Sequence, residues 1–148
     1  MAIGHVSRRS VLLGGGLLVA GWIAYSRTQP SGETLSVTDA FEAARDKQIF
    51  LIDIRRPDEW AKTGIGEGAS PIDMRREDFI AELDQLTGGD RSAAIALICA
   101  RGVRSRHLSN RLRDAGYQRI IDVPEGMLGS FSGPGWLKVG LPVIAYDV

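Results

Sequence analysis

The sequence predicts an α/β fold with a mainly parallel central sheet and helices on both faces. Three observations carry this. Residues 49–54, 93–98 and 119–123 are short apolar runs, typical of strands buried on both faces. Segments with apolar positions three and four apart separate them, which is helical spacing. Glycines mark most of the boundaries. Strands alternating with helices of about ten residues argue for a parallel sheet covered on each side. In such sheets a ligand sits at the carboxyl ends of the strands.

Residues 1–26 stand apart from this pattern. Ser7, Arg8, Arg9, Ser10, Val11, Leu12 and Leu13 resemble a twin-arginine export signal, and residues 11–25 form an uncharged, glycine-rich apolar stretch of 15 residues. That is short of the roughly 20 residues of a full membrane span. It has the layout of a targeting segment. Ala24 and Ser26 are small where a signal peptidase reads, so two readings stand together: a signal cleaved after Ser26, or a retained anchor that tethers the chain to a membrane through residues 11–26. Both put the rest of the protein outside the cytoplasm, in the periplasm or on the extracytoplasmic face of a bacterial inner membrane. Residues 27–34 read as a linker and residues 35–148 as one domain, with no internal repeat.

The elements of that domain follow in order. Ser36 with Asp39 three residues on reads as a capping box, and Val37, Ala40, Phe41 and Ala44 continue a helix ending near Lys47. Residues 49–54 form the first buried strand. Pro57, Asp58, Glu59 and Trp60 open a helical turn, with proline where it is tolerated. Gly64, Gly66 and Gly68 break the next stretch, and residues 69–74 suit a short strand. Phe79, Ile80, Leu83 and Leu86 mark a helix that Gly88 and Gly89 stop. Residues 93–98 form the second buried strand. Leu108, Leu112 and Ala115 line a helix ended by Gly116, and residues 119–123 form the third. The tail from Gly126 to Val143 is rich in glycine and proline.

Length and charge bound the function. The chain has 148 residues, enough for one domain with a real core, and carries 18 basic and 18 acidic residues. Three arginines lie in the first 28 residues, which hold no acid, so the remainder has 15 basic and 18 acidic residues. That is an ordinary soluble surface. No basic stripe interleaved with aromatics points to nucleic acid.

Cys99 is the only cysteine. It has no partner for an internal disulfide, so any role it has is chemical. A lone cysteine closing an apolar run is most often a small core residue. The loop after it reverses that reading. Cys99, Ala100, Arg101, Gly102, Val103 and Arg104 join a strand end to a helix start. Such a loop can curl its backbone N–H groups inward as a nest for an anion. Gly102 allows a backbone angle that other residues resist. The helix that follows adds the positive end of its dipole. A thiolate in this cup is stabilised, and a persulfide better still, because its outer anion lies deeper in the nest.

Four segments resemble the single-domain rhodaneses, a family of sulfurtransferases. The first runs Asp53, Ile54, Arg55, Arg56, Pro57, Asp58, Glu59, Trp60. The second is Thr63 to Ala69, a degraded form of the family's segment in which Gly64 stands where the family has histidine. The third is Cys99, Ala100, Arg101, Gly102, Val103, Arg104, Ser105. The fourth is Glu125, Gly126 and Met127 with residues 136–143, interrupted by an insertion over residues 128–135 that displaces or shortens the last helix. The resemblance implies a rhodanese-like three-layer fold. It implies that Cys99 takes a sulfur atom from a small anionic donor such as thiosulfate and passes it to a thiol, to cyanide or to a protein thiol, with no metal or organic cofactor. The backbone of Ala100, Arg101, Gly102, Val103 and Arg104, with Ser105, would bind substrate. Asp53 and Arg55 would brace the loop. For Arg104, contact with the donor and pairing with a carboxylate stand equally open. His107 reads as a surface or packing residue, Trp60 and Trp136 as core or rim aromatics, and Arg75 with Arg76 as a solvated pair.

Two rival readings remain. A cysteine phosphatase or arsenate reductase needs a seven-residue loop ending in arginine, but Arg104 is the fifth residue after Cys99 and Ser105 the sixth. The tighter loop suits a single sulfur atom. The other rival is an exported sulfur-carrier or partner-docking module of the same fold with little turnover of its own.

Overall fold

In the computed structural model the described residues are 32–147. Helix α1 spans Val37–Arg45, strand β1 Phe50–Asp53, α2 Pro57–Thr63, β2 Ile65–Gly66 and β3 Ala69–Pro71. Then come α3 Phe79–Thr87, β4 Ala94–Ile98, α4 Val103–Asp114, β5 Arg119–Val123, α5 Trp136–Val139 and β6 Val143–Ile144. The export-like segment and its apolar stretch lie outside the described residues. Among the described residues no helix is long and apolar enough to cross a membrane.

Four strands form one parallel sheet in the order β3-β1-β4-β5, and β2 pairs antiparallel with β6 in a separate ribbon. Side chains alternate across a pleated sheet, so each central strand feeds two cores. Ile52, Ile95, Leu97 and Ile120 face Phe79 and Leu83 of α3 and Leu108 and Leu112 of α4. Leu51, Ala96, Ile98 and Ile121 face Val37 and Ala40 of α1 and Trp136 of α5. These are the helices on both faces that the apolar runs predict, and their central strands sit within a residue or two of the expected bounds.

Local chemistry sets the ends. The Ser36 hydroxyl accepts from the Asp39 N–H at 3.1 Å and caps α1. Gly88 ends α3 in the left-handed conformation, φ 66°. β3 is shorter than the expected strand, ending at Pro71, although the Ile72 and Met74 amides still reach the Asp53 and Ile54 carbonyls at 3.0 and 3.4 Å. At the amino end, the Leu35 N–H donates to the Asp122 carbonyl and the Asp122 N–H to the Glu33 carbonyl, at 3.0 and 2.9 Å. Thr34 lies in a parallel bridge with Asp122.

Candidate active site

β4 delivers Cys99 to the carboxyl end of the sheet, where it is 1% exposed. The next residues turn at once into α4, whose N-cap is Gly102 at φ 79°. A side chain there would be strained, and its Cβ would also collide with the Pro124 carbonyl. The Gly102 N–H donates to the Cys99 sulfur at 3.1 Å. The thiol lies 3.6 Å from the Ser105 hydroxyl, which itself donates to the Gly102 carbonyl at 3.2 Å. Among the described residues the amides of Ala100, Arg101, Val103 and Arg104 have no backbone or side-chain acceptor. They belong to a loop and a first helical turn, where unpaired N–H groups are available to an anion.

The loop rests on the turn after β5. Met127 N–H donates to the Cys99 carbonyl at 2.8 Å and Leu128 N–H to the Ala100 carbonyl at 2.9 Å. Gly126, at φ 69°, lies so close that a Cβ would come within 2.5 Å of the Ala100 oxygen. Asp53 and Arg55, expected to brace the loop, lie beneath α2. Both are essentially fully buried, paired through Nη2 and Oδ2 at 2.7 Å. Arg55 also donates to the Thr63 hydroxyl at 2.8 Å and to the Gly64 carbonyl at 2.7 Å. With Arg55 Nη1 also 3.4 Å from the Glu59 carbonyl, the pair holds α2 from Glu59 to its far end, with no direct hydrogen bond to the Cys99 loop among the described residues.

Its link to the loop runs through Glu59 on α2, a residue with no role legible in the sequence. Arg104 donates from Nη1 and Nη2 to the two Glu59 oxygens at 2.8 and 2.6 Å. This bidentate bond, against the opposing effect of burial, lowers the Glu59 pKa from 4.5 to about 2. Of the two roles left open for Arg104, the structure places it with the carboxylate. The signal for Glu59 was available, since it follows Arg56 by three residues at the start of α2, but its partner lies 45 residues away.

Arg101 stands exposed at the loop crest, its Nη1 3.4 Å from the Gly129 carbonyl. It lines a cavity of about 550 Å³ with Val103, Leu128, Phe131, Pro134 and Lys138. Residues 128–135 build that wall as a tight turn in which Ser130 pairs with Gly133. The following helix α5 is short, four residues. His107 is exposed on α4. Arg75 and Arg76 are exposed but not merely solvated: they pair with Asp73 and Asp78. Gly64, at φ 75°, has the Ile144 carbonyl within 2.8 Å of where a Cβ would sit, so the β2–β6 ribbon leaves little room for histidine there.

The rhodanese-like domain family matches residues 36–129, from the start of α1 to the turn under the Cys99 loop. The chain belongs to this family. Several solved structures share the rhodanese-like fold. The polysulfide-sulfur transferase homodimer of Wolinella succinogenes is 23% identical, with a TM-score of 0.60 over 88% of this chain and 90% of that one. A Staphylococcus saprophyticus protein, SSP1007, is 28% identical, with a TM-score of 0.50 over 64% of this chain and 89% of that one. Among curated sequences, an uncharacterized protein of Rickettsia rickettsii is 26% identical over 99 residues, covering 63% of this chain and 80% of the relative.

Proposed function

We propose that this rhodanese-like domain is a sulfurtransferase working through a Cys99 persulfide. The observation that carries the reading is the Cys99 loop. One amide already points at the sulfur and four more have no other acceptor, at the positive end of α4. In the first step Sγ attacks the outer sulfur of an anionic donor such as thiosulfate. The donor's S–S bond breaks, its electron pair leaves on sulfite, and Cys99 keeps the sulfur. In the second step a thiol, cyanide or a protein thiol attacks that outer sulfur, and the new S–S bond gives its pair back to Sγ. The thiol alone supplies the covalent chemistry. Arg101 and Lys138, on the rim beside an apolar wall, favour the approach of an anion. Arg104 holds the loop to α2 rather than meeting the donor.

The pairing of Arg104 with Glu59 also favours sulfur over phosphate, because a phosphatase loop needs its arginine turned inward to an oxyanion. Steady-state turnover of thiosulfate and cyanide tests the reading. Parallel double-reciprocal lines are expected, as for a two-step mechanism through one covalent intermediate. Intersecting lines would contradict that mechanism. A persulfide that forms but turns over no faster than the free reaction would favour the carrier reading.

A further inference from the structure

The cavity beside Arg101 is larger than the sulfur transfer described above needs. Thiosulfate and cyanide are a few atoms each, whereas the cavity holds about 550 Å³. That lies within the roughly 300–1,000 Å³ of sites that take a whole small molecule. Its wall is apolar, made by Val103, Leu128, Phe131 and Pro134. The first three of these are exposed, and large exposed apolar side chains gathered round one concavity mark a binding surface. The turn that presents Phe131 is pinned, since the Ser130 hydroxyl donates to the Pro124 carbonyl at 2.7 Å and accepts from the Ser132 N–H at 3.0 Å. Arg101 and Lys138 are the charged residues of the lining, and no acidic residue stands with them. Among the described residues neither forms an ion pair, unlike Arg91 or Arg104. The cavity also adjoins the reactive atom. Arg101 and Val103 flank Gly102, whose N–H meets the Cys99 sulfur at 3.1 Å. The loop that wraps the sulfur is therefore also one wall of the cavity.

We propose that this cavity seats the body of the sulfur acceptor, and that the acceptor is an organic thiol whose apolar chain ends in an anionic group. The proposal rests on the persulfide reading and gives its second step a substrate class. The acceptor's thiolate reaches the outer sulfur of the Cys99 persulfide, which lies about 2 Å beyond Sγ. Its chain lies on Val103, Leu128, Phe131 and Pro134, and its anionic end meets Lys138. Burial of the chain favours the complex, and the unpaired cation fixes which end faces away from the loop. Arg101, on the loop itself, offsets the repulsion between the incoming thiolate and the persulfide anion. The thiolate's lone pair forms the new S–S bond to the outer sulfur. The bond from that sulfur to Sγ breaks, and its electron pair returns to Sγ. An organic persulfide anion leaves and a Cys99 thiolate remains, so the step needs no oxidant, reductant or outside proton.

The test compares acceptors on the persulfidated protein, read as loss of the persulfide by intact mass. Mercaptoacetate is the short anionic thiol, and mercaptohexanoate, with its thiol on the terminal carbon, the long one. Mercaptohexanoate should take the sulfur with a second-order rate constant at least about tenfold higher, from burial of its added CH₂ groups. Mercaptohexanol, as long but uncharged, should be several-fold slower than mercaptohexanoate. Phe131→Ser should shrink the preference for length, and Lys138→Ala the preference for charge. Equal rates for the two lengths, or preferences that survive both substitutions, would overturn the proposal. A surface that only docks a protein acceptor gives that flat result. Hexanoate, which has no sulfur, separates the proposal from the persulfide reading. In amide NMR spectra of the full chain it should shift the signals of Val103, Leu128 and Phe131 more than acetate does. Those shifts without any persulfide after thiosulfate would uphold the cavity and overturn the transferase reading. A persulfide that forms, with hexanoate and acetate indistinguishable, would overturn the acceptor proposal alone.

Discussion

Arg104 illustrates how a single side chain beside the Cys99 loop can hold it through a partner on another element. Its guanidinium forks onto Glu59 at 2.6 and 2.8 Å, tying the first turn of α4 to α2, and α2 is in turn fixed by the buried Asp53–Arg55 pair. The bond has a measurable signature. Glu59 titrates near 4.5 in an unfolded chain and near 2 here. A carboxylate with a lowered native pKa contributes stability that is present above its unfolded pKa and lost as pH falls through the folded one. Wild-type stability should therefore drop between about pH 4.5 and pH 2, and Glu59→Gln should flatten that part of the curve. At neutral pH the substitution should cost about 1–2 kcal/mol, discounted because Arg104 is partly exposed. Denaturant unfolding at a series of pH values checks this, and equal acid slopes for the two proteins would contradict it.

Among the elements, those that bury continuous apolar runs were legible in the sequence, and those held by distant partners were not. β5 was expected over residues 119–123 and spans Arg119–Val123. α3 was read from Phe79, Leu83 and the Gly88–Gly89 stop, and it ends where the left-handed Gly88 requires. The β2–β6 ribbon has two residues per strand, too few to show any period. The Cys99 loop could be read because glycine, arginine and an adjoining helix start lie together in the chain. Its supports could not, since Glu59 and residues 126–128 reach it only through the fold. Asp53 and Arg55 were recognised as structural, but Arg55's partners, the Glu59 carbonyl, Thr63 and Gly64, are brought to it only by the folding of α2.

At the largest scale, residues 32–147 combine two cores, one on each side of a parallel sheet, with the Cys99 loop where β4 leaves that sheet. Residues 128–135 wall a cavity beside Arg101, while Met127 and Leu128 hold the loop backbone and Gly126 and Met127 seat α5. The amino-terminal twin-arginine-like segment lies outside the described residues, and we propose that it directs the domain out of the cytoplasm. Replacing Arg8 and Arg9 together by lysine should leave the protein in the cytoplasmic fraction. Unchanged export would contradict that proposal.

The account's central claim is that Cys99 carries a sulfur atom. Intact-mass measurement after incubation with thiosulfate tests it most directly. The protein should gain about 32 Da, one sulfur, which a reductant removes and which Cys99→Ser never acquires. An unchanged mass, or the same adduct on Cys99→Ser, would contradict it.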